Sequence, residues 1–262
     1  AKQPVYTKEL ARLHQAKAQE LVQMNLYRQA AAELAYAIEK DTPDEAKYLE
    51  LARLYQQAGD YQQLTRLMQT HFENWIDQGD ESLPNNFWEL AYPLSFYQMI
   101  EQCTSSSPQI PPSPPLQKGG ISQIGELDPL FVVSLILVES VFDPEAYSPA
   151  GAIGLMQLMP RTGAKMATAL NIPVPDADQY FRPEINILLG TAYLKELLAR
   201  FNRQLLPVIA SYNAGEDVVW TWWNDGYQDN LPAFVASIPY PETKRYVQKV
   251  WWYYREYQRI YR

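Results

Sequence analysis

The sequence predicts a mainly α-helical protein, and three observations carry that reading. Apolar residues recur at helical spacing through most of the 262-residue chain. Proline and glycine fall between those stretches as punctuation. From about Tyr6 to Phe72 no period-two alternation of a half-buried strand competes.

From about Tyr6 to Phe72 the chain is rich in Ala, Leu, Gln, Glu and Lys, and reads as a run of amphipathic helices. Shifting the sequence on itself by 34 residues pairs Ala18 with Ala52, Tyr27 with Tyr61 and Gln29 with Gln63, the spacing of tetratricopeptide-like helical hairpins. Ordinary helices are the alternative. A hairpin would reverse at Ala58 to Tyr61, where Gly59 tolerates left-handed backbone. The pattern breaks around Asp80 to Asn86, which divides the chain into an α-helical hairpin region, residues 1–85, and a second domain, residues 86–262. Within the second domain Trp88 to Met99 reads as helical, restarted at Pro93, and Thr104 to Gly120 is a Ser-, Pro- and Gly-rich stretch expected to be a flexible loop. Beyond Gly125 helices are expected near 128–140, 160–170, 183–201, 207–214, 216–225 and 242–260. Pro129, Pro160, Pro183 and Pro207 mark first turns, and Gly215 falls where a C-terminal cap belongs.

Bulk properties narrow the partners. A net charge of −8 and a pI near 4.9 argue against nucleic acid, whose phosphates call for a basic face. Glycans are compatible with that charge, and the 19 Tyr and 7 Trp suit stacking on sugars. The single Cys103 cannot form an internal disulfide. The longest apolar run, Leu130 to Val138, is far short of the roughly 18 to 20 residues that span a bilayer. Ala1 stands where an initiator Met is expected and no charged-then-apolar leader precedes it, so the chain reads as a processed form or a piece of a longer one.

The chemistry concentrates after Asp128. Asp128-Pro129 is an N-cap followed by proline at the first helical position, and Leu130 to Val138 is apolar except at Ser134, which describes a helix buried all round. Glu139 and Ser140 follow, and Pro144 limits the helix beyond them. Burial disfavours the charged form, so the Glu139 pKa should rise toward roughly 6 to 7, the range of a general acid at neutral pH. Taken alone, such a residue also reads as a solvated helix end. Next come small residues and two glycines, Gly151 and Gly154, that permit close backbone approach to a ligand, and then Gln157 among apolar neighbours just before a helix start.

Glu139-Ser140, then Ser148-Pro149-x-Gly151-x-x-Gly154-Leu155-Met156-Gln157-Leu158-Met159-Pro160, then Ser211-Tyr212-Asn213-Ala214-Gly215, and finally Ile238-Pro239-Tyr240-Pro241-Glu242-Thr243-Lys244-Arg245-Tyr246-Val247, together resemble the soluble lytic transglycosylase family. The resemblance covers about residues 88–262. It implies a lysozyme-like α-helical catalytic domain that cleaves the β-1,4 bond between N-acetylmuramic acid and N-acetylglucosamine in peptidoglycan. The muramic C6 hydroxyl would attack C1 of its own sugar, giving a 1,6-anhydro product. Glu139 would protonate the leaving oxygen and then accept the C6 hydroxyl proton. By the same resemblance Ser148 and Gln157 would hydrogen-bond the sugar or its N-acetyl group, Met159 would line the groove, Tyr212 would steady developing charge, Asn213 would shape that corner and Glu242 would support the groove. Lys244 departs from the usual arginine, which removes bidentate geometry. The substrate implies a bacterial cell envelope, the periplasm, with glycan strands as partner.

Ordinary glycosidases need two carboxylates, about 5 to 5.5 Å apart when retaining and about 6.5 to 9.5 Å when inverting. Asp143, Glu145, Glu184, Glu216 and Asp217 lie near the motifs and are the candidates for a second one, with surface charge or capping as the plainer role. Two other readings follow: a lysozyme-type hydrolase on the same scaffold, and a non-catalytic module whose amino-terminal helices bind a protein partner. Trp220, Trp222 and Trp223 suit either sugar stacking or the core, and Trp251 to Tyr254 follow a helical core pattern. His14 and His71 lack ligand partners at metal spacing and Gly119-Gly120 lacks the Lys-Ser/Thr of a phosphate loop, so neither metal nor cofactor is expected.

Overall fold

The computed structural model describes residues 5–41, 44–79, 82–105, 127–224, 226 and 230–262. The expected Ser-, Pro- and Gly-rich loop lies outside the described residues from position 106 onward. Among those described there are thirteen α-helices and one 3-10 helix. β-Pairing among them is limited to two isolated bridges, Tyr147 with Ile153 and Ile153 with Leu158. Backbone contacts divide the chain into two compact units, Ala1–Ser95 and Phe96–Arg262, the division falling a little beyond the break in sequence pattern at 80–86.

The first unit holds α1 (Val5–Gln23), α2 (Tyr27–Lys40), α3 (Glu45–Gln57), α4 (Tyr61–Gln78) and α5 (Asn85–Ala91). Each helix packs against the next in sequence, and the 34-residue pairing recurs in their geometry. Tyr27 and Tyr61 each open the second helix of a pair. Asn25 and Gly59, also 34 positions apart, hold the left-handed turn before it, with φ of 58° and 69°. Asparagine and glycine are the residues that tolerate this conformation. Ala18 and Ala52 are both buried, small enough to let neighbouring helices approach. Asp44 and Asp60 cap α3 and α4 by accepting from Lys47 N at 2.9 Å and Gln63 N at 3.2 Å. Leu34, Leu64, Met68 and Phe72 fill the interior. Each such side chain contributes roughly 1.5 to 3 kcal/mol of burial.

In the second unit α6 (Tyr97–Ser105), α7 (Pro129–Ser140), α8 (Pro160–Ala169), a 3-10 turn (Ala177–Phe181), α9 (Pro183–Arg200), α10 (Leu205–Ala214), α11 (Glu216–Trp223), α12 (Leu231–Ser237) and α13 (Pro241–Tyr261) follow in order. Short α12 carries a weaker sequence signal and was not among the expected helices. At the centre lies α7, with every residue from Leu130 to Leu137 buried. Its Asp128 cap accepts from Leu130 N at 3.0 Å and from the Tyr254 hydroxyl at 2.5 Å, and pairs with Arg262 at 2.9 Å, so one carboxylate both starts the helix and ties it to α13. The helix ends in two left-handed residues, Val141 and Phe142, with φ of 54° and 60°, before Pro144 is reached. For a β-branched valine this is strained backbone, on the order of 1 to 3 kcal/mol, immediately after the Glu139-Ser140 pair.

The core reading of the carboxy-terminal aromatics needs correction. On α13 the buried stripe is Thr243, Val247, Val250, Tyr254 and Tyr257. These recur at three- and four-residue spacing, and Trp251 and Trp252 fall off that stripe and are exposed. The α11 cluster is likewise split, with Trp223 buried and Trp220 exposed.

Candidate active site

Glu139 sits one residue before the end of α7, where the buried helix reaches the surface of the unit. The residue keeps a solvent-accessible face, but its carboxyl is surrounded by enough protein that burial pushes its pKa up to about 7. A hydrogen bond from the Tyr246 hydroxyl to Oε1 acts in the opposite direction, favouring the carboxylate. With Oε1 engaged, Oε2 is the oxygen left to carry a transferable proton.

Two tyrosines frame this carboxyl. Tyr246, on the second turn of α13, and Tyr212, near the end of α10, are both held well above the ordinary tyrosine pKa, first by burial and then by the charge of Glu139. Both stay neutral over any physiological range. Tyr212 donates its hydroxyl proton to the Met156 carbonyl at 2.8 Å, so the lone pairs of its oxygen face away from that bond. Its ring lies against Tyr193 of α9, centroids 5.5 Å apart. The Tyr193 hydroxyl in turn donates to Glu216 at 2.6 Å.

The segment from Ala146 to Met159 forms the adjoining wall. Tight reciprocal bonds, Ser148 N to Ala152 O at 2.9 Å and Ile153 N to Leu158 O at 3.1 Å, fold it into two linked turns. Gly154 has a φ of 75°, and a Cβ there would meet Asn186 Nδ2 at 2.5 Å and the Tyr180 carbonyl at 2.7 Å. Only glycine fits. Gln157, with a φ of 44°, is also left-handed. Its Nε2 donates to the Ala146 and Gly154 carbonyls at 3.1 and 3.0 Å. Both partners are acceptors, which fixes the amide orientation and leaves Oε1 as its outward-facing group. Ser148 Oγ accepts from Ala152 N at 2.9 Å and keeps its own proton to donate. Met159, the N-cap residue of α8, is exposed without a polar partner, as a groove-lining thioether would be.

Asn213, exposed on α10, accepts from the buried Thr243 hydroxyl at 2.7 Å and so joins the Tyr212 helix to the start of the Tyr246 helix. Glu242 is exposed in the first turn of α13, where its charge complements the helix dipole. No contact draws it toward Glu139. Lys244 donates to the Ala236 carbonyl at 2.7 Å in the last turn of α12, a single-acceptor task for which a guanidinium fork is unnecessary.

Of the five candidate second carboxylates, Glu145 is exposed and the other four have partners elsewhere. Asp143 accepts from Glu145 N at 2.9 Å, Glu184 lies 3.9 Å from Arg182, and Asp217 pairs with Arg200 at 2.7 Å. Burial alone would raise Glu216, but hydrogen bonds from Tyr193, its own backbone and Lys165 outweigh it and hold the carboxyl below the usual range. Among the described residues, burial and the Tyr246 hydroxyl are what shift Glu139, and no carboxylate does. Nor does any cluster of three or more His, Cys, Asp or Glu among them suit a metal ion. No helix among them is long and apolar enough to cross a membrane.

Sequence reasoning named Tyr212 but passed over Tyr246, Tyr193 and Asn186. Tyr246 lies four residues after Glu242 in the closing motif, and its partner is 107 positions away in the chain. Asn186 had a local signal, a lone amide between Ile185 and Ile187 in an apolar helix. It is fully buried.

Comparison with known proteins agrees with this geometry. Residues 120–231 match the family model described as the transglycosylase SLT domain. The chain is similar to the soluble lytic murein transglycosylase of Escherichia coli K12, 33% identical over 164 residues that cover 62% of this chain and 23% of that protein. It is also similar to the soluble lytic murein transglycosylase of Salmonella typhimurium, 38% identical over 122 residues, covering 46% of this chain and 19% of the relative. The chain therefore spans about a fifth of the length of these curated relatives. Among solved structures, the 70-kDa soluble lytic transglycosylase of Escherichia coli superposes with a TM-score of 0.67 at 26% identity, over 94% of this chain and 35% of that one. A complex of the 70-kDa enzyme with bulgecin A gives a TM-score of 0.68 at 27% identity, with the same coverage. With the motif order, the lysozyme-like helical unit and these matches in agreement, residues 120–231, within the second unit, carry a transglycosylase SLT domain.

Proposed function

We propose that this chain is a peptidoglycan lytic transglycosylase in which Glu139 serves as the single acid and base. The observation that carries the reading is the state of that carboxyl. Burial raises its pKa to about 7, Tyr246 occupies one oxygen, and no neighbouring carboxylate among the described residues acts on it. A protonated Glu139 gives its proton to the glycosidic oxygen as the C1–O bond breaks. The positive charge developing at C1 and the ring oxygen is met by the Tyr212 oxygen, whose own proton is committed to Met156. The muramic C6 hydroxyl then closes on C1 and passes its proton to the carboxylate, which restores the acid. No water is consumed, and the ledger of protons balances within one residue.

In this reading Gln157 Oε1 and the Ser148 hydroxyl proton bond an N-acetyl group or ring hydroxyls, with Met159 as apolar lining. Asn213 and Glu242 act at the margin, the first by joining α10 to α13. The same reading, with murein as substrate, assigns the protein to the bacterial cell envelope and, within it, to the periplasm.

The test is digestion of purified peptidoglycan with mass analysis of the released muropeptides. Products lighter by one water than the reducing-end sugars are expected. Reducing-end products would instead identify a lysozyme-type hydrolase, and the absence of products would favour a binding module.

A further inference from the structure

One peptide unit of the wall segment is gripped from two helices. The Leu155 carbonyl accepts from Ser140 Oγ at 2.8 Å, and Ser140 is the residue that follows Glu139 on α7. The amide of the same peptide, Met156 N, donates to Asn186 Oδ1 at 2.8 Å, from α9. The next carbonyl along, Met156 O, receives the Tyr212 hydroxyl from α10 at 2.8 Å. Asn186 uses its remaining valence fully, donating through Nδ2 to the Ile153 and Tyr180 carbonyls at 2.8 Å each. Leu155 and Met156 are themselves fully buried, and a Cβ on Gly190, one turn beyond Asn186, would meet Met156 Sδ at 2.3 Å. The segment is thus held by hydrogen bonds at the backbone and by close packing at the side chain.

We infer that Asn186 is a positioning residue for the reaction proposed above: it fixes the Leu155–Met156 peptide against the pull of Ser140, and through the Met156 carbonyl sets where the Tyr212 oxygen stands beside Glu139. The physical argument is one of degrees of freedom. Tyr212 has one proton to donate, and the direction of that bond decides whether its lone pairs or its hydrogen face the reacting carbon. A carbonyl that could tilt would let the hydroxyl turn toward Glu139 instead. Asn186 is suited to prevent this because a buried amide with all three bonds made has one favourable orientation, whereas a half-satisfied one has several. Its loss strands Met156 N and the Tyr180 carbonyl, while Ile153 O keeps its bond from Leu158 N at 3.0 Å.

A double-mutant cycle tests this role, using soluble glycan strands and the full chain. Asn186→Ala, Tyr212→Phe and their combination are compared for kcat, KM and cooperative thermal unfolding. Because misplacing a group by about 1 Å can cost roughly a hundredfold, Asn186→Ala alone is expected to lower kcat by about ten- to a hundredfold while KM moves less than about threefold. In the Tyr212→Phe background, where no hydroxyl remains to orient, the same substitution should cost less than about threefold. Equal losses in both backgrounds, or a loss in KM alone, would overturn the proposal, since a merely structural role acts regardless of Tyr212. Should the alanine variant fail to unfold cooperatively, Asn186→Asp carries the same cycle, because it keeps an acceptor for Met156 N and gives up the two donations. The inference rests on Glu139 as acid and base, and the two fail differently: hydrolytic products from the unaltered protein would sink the transglycosylase reading, while the coupling between positions 186 and 212 would still be read.

Discussion

Asn25 and Gly59 in the first unit and Gly154 in the second share left-handed backbone, with φ of 58°, 69° and 75°, and stand in opposite surroundings. A Cβ on Gly59 would meet nothing within 4 Å, whereas one on Gly154 would strike Asn186 and the Tyr180 backbone. In the first unit the conformation only reverses the chain between helices. In the second it brings backbone into contact with buried polar groups that in turn hold the candidate catalytic wall. The same contrast runs through the charged residues: the first unit's Glu33 is held below the usual carboxylate range by Lys17 and His14 at the surface, and the second unit's Glu139 is raised by burial. These polar groups of the first unit serve turns and surface ion pairs, and those of the second line a candidate site.

The sharpest way to break that contrast is Glu139→Gln. General acid–base groups contribute on the order of a hundred- to ten-thousandfold, and here one residue performs both transfers, so muropeptide release should fall by at least about a thousandfold. Stability should respond in the opposite sense. With its folded pKa raised above the ordinary value of 4.5, Glu139 stays protonated in the native state while the unfolded chain has already ionised. The native state then binds more protons, and this group's contribution to stability falls as pH rises from about 4.5 to about 7 and is level beyond. The glutamine variant should lose that portion of the pH dependence, as read by denaturant unfolding at several pH values. Retained turnover would remove Glu139 from the mechanism.

Gly154→Ala ranks next. Left-handed strain of about 1 to 2 kcal/mol adds to overpacking of about 1 to 3 kcal/mol, so the second unit should lose roughly 2 to 5 kcal/mol of stability. Activity should fall with it, because the displaced neighbour, Asn186, holds Met156. Chemical denaturation beside turnover separates the two losses. A neutral result would mean that the wall is softer than its bonds imply.

What was legible in the sequence follows from range. Asp128-Pro129 announced the start of α7 because a cap and a first-turn proline act within three residues, and the unbroken apolar run announced its burial. The reversal at Gly59 was legible for the same reason, since a left-handed turn is a local feature. Tyr246 was not legible as a partner of Glu139, because nothing in either local pattern encodes a bond across 107 positions. Trp251 and Trp252 misled by composition, since an aromatic-rich helix reads as core until the packed stripe is known to run through Val250 and Tyr254. Asn186 falls between: its lone amide in an apolar run signalled a buried bond, but not to which loop.

Tyr246→Phe sharpens the comparison without breaking it. The hydroxyl favours the carboxylate of Glu139, so its removal should move that pKa above about 7. The alkaline limb of kcat/KM, which reports the free enzyme's acid, should shift upward in pH by the same direction. Turnover near neutrality should drop by about tenfold, because the carboxyl loses the bond that fixes which oxygen carries the proton. An unmoved limb would show that the tyrosine shapes the pocket without touching the titration.

Gly59→Ala is the smallest effect and closes the comparison from the other side. Nothing crowds the position, so the cost is the left-handed backbone alone, about 1 kcal/mol of stability confined to the first unit. Gly59→Asn should recover much of it, since asparagine already holds the equivalent turn at Asn25 with a φ of 58°. Neither variant should alter muropeptide release, because the turn lies in the first unit and the residues proposed for chemistry all lie in the second. A loss of activity at unchanged stability of the second unit would show instead that the helical hairpins take part in handling the glycan, and the division of labour between the units would have to be redrawn.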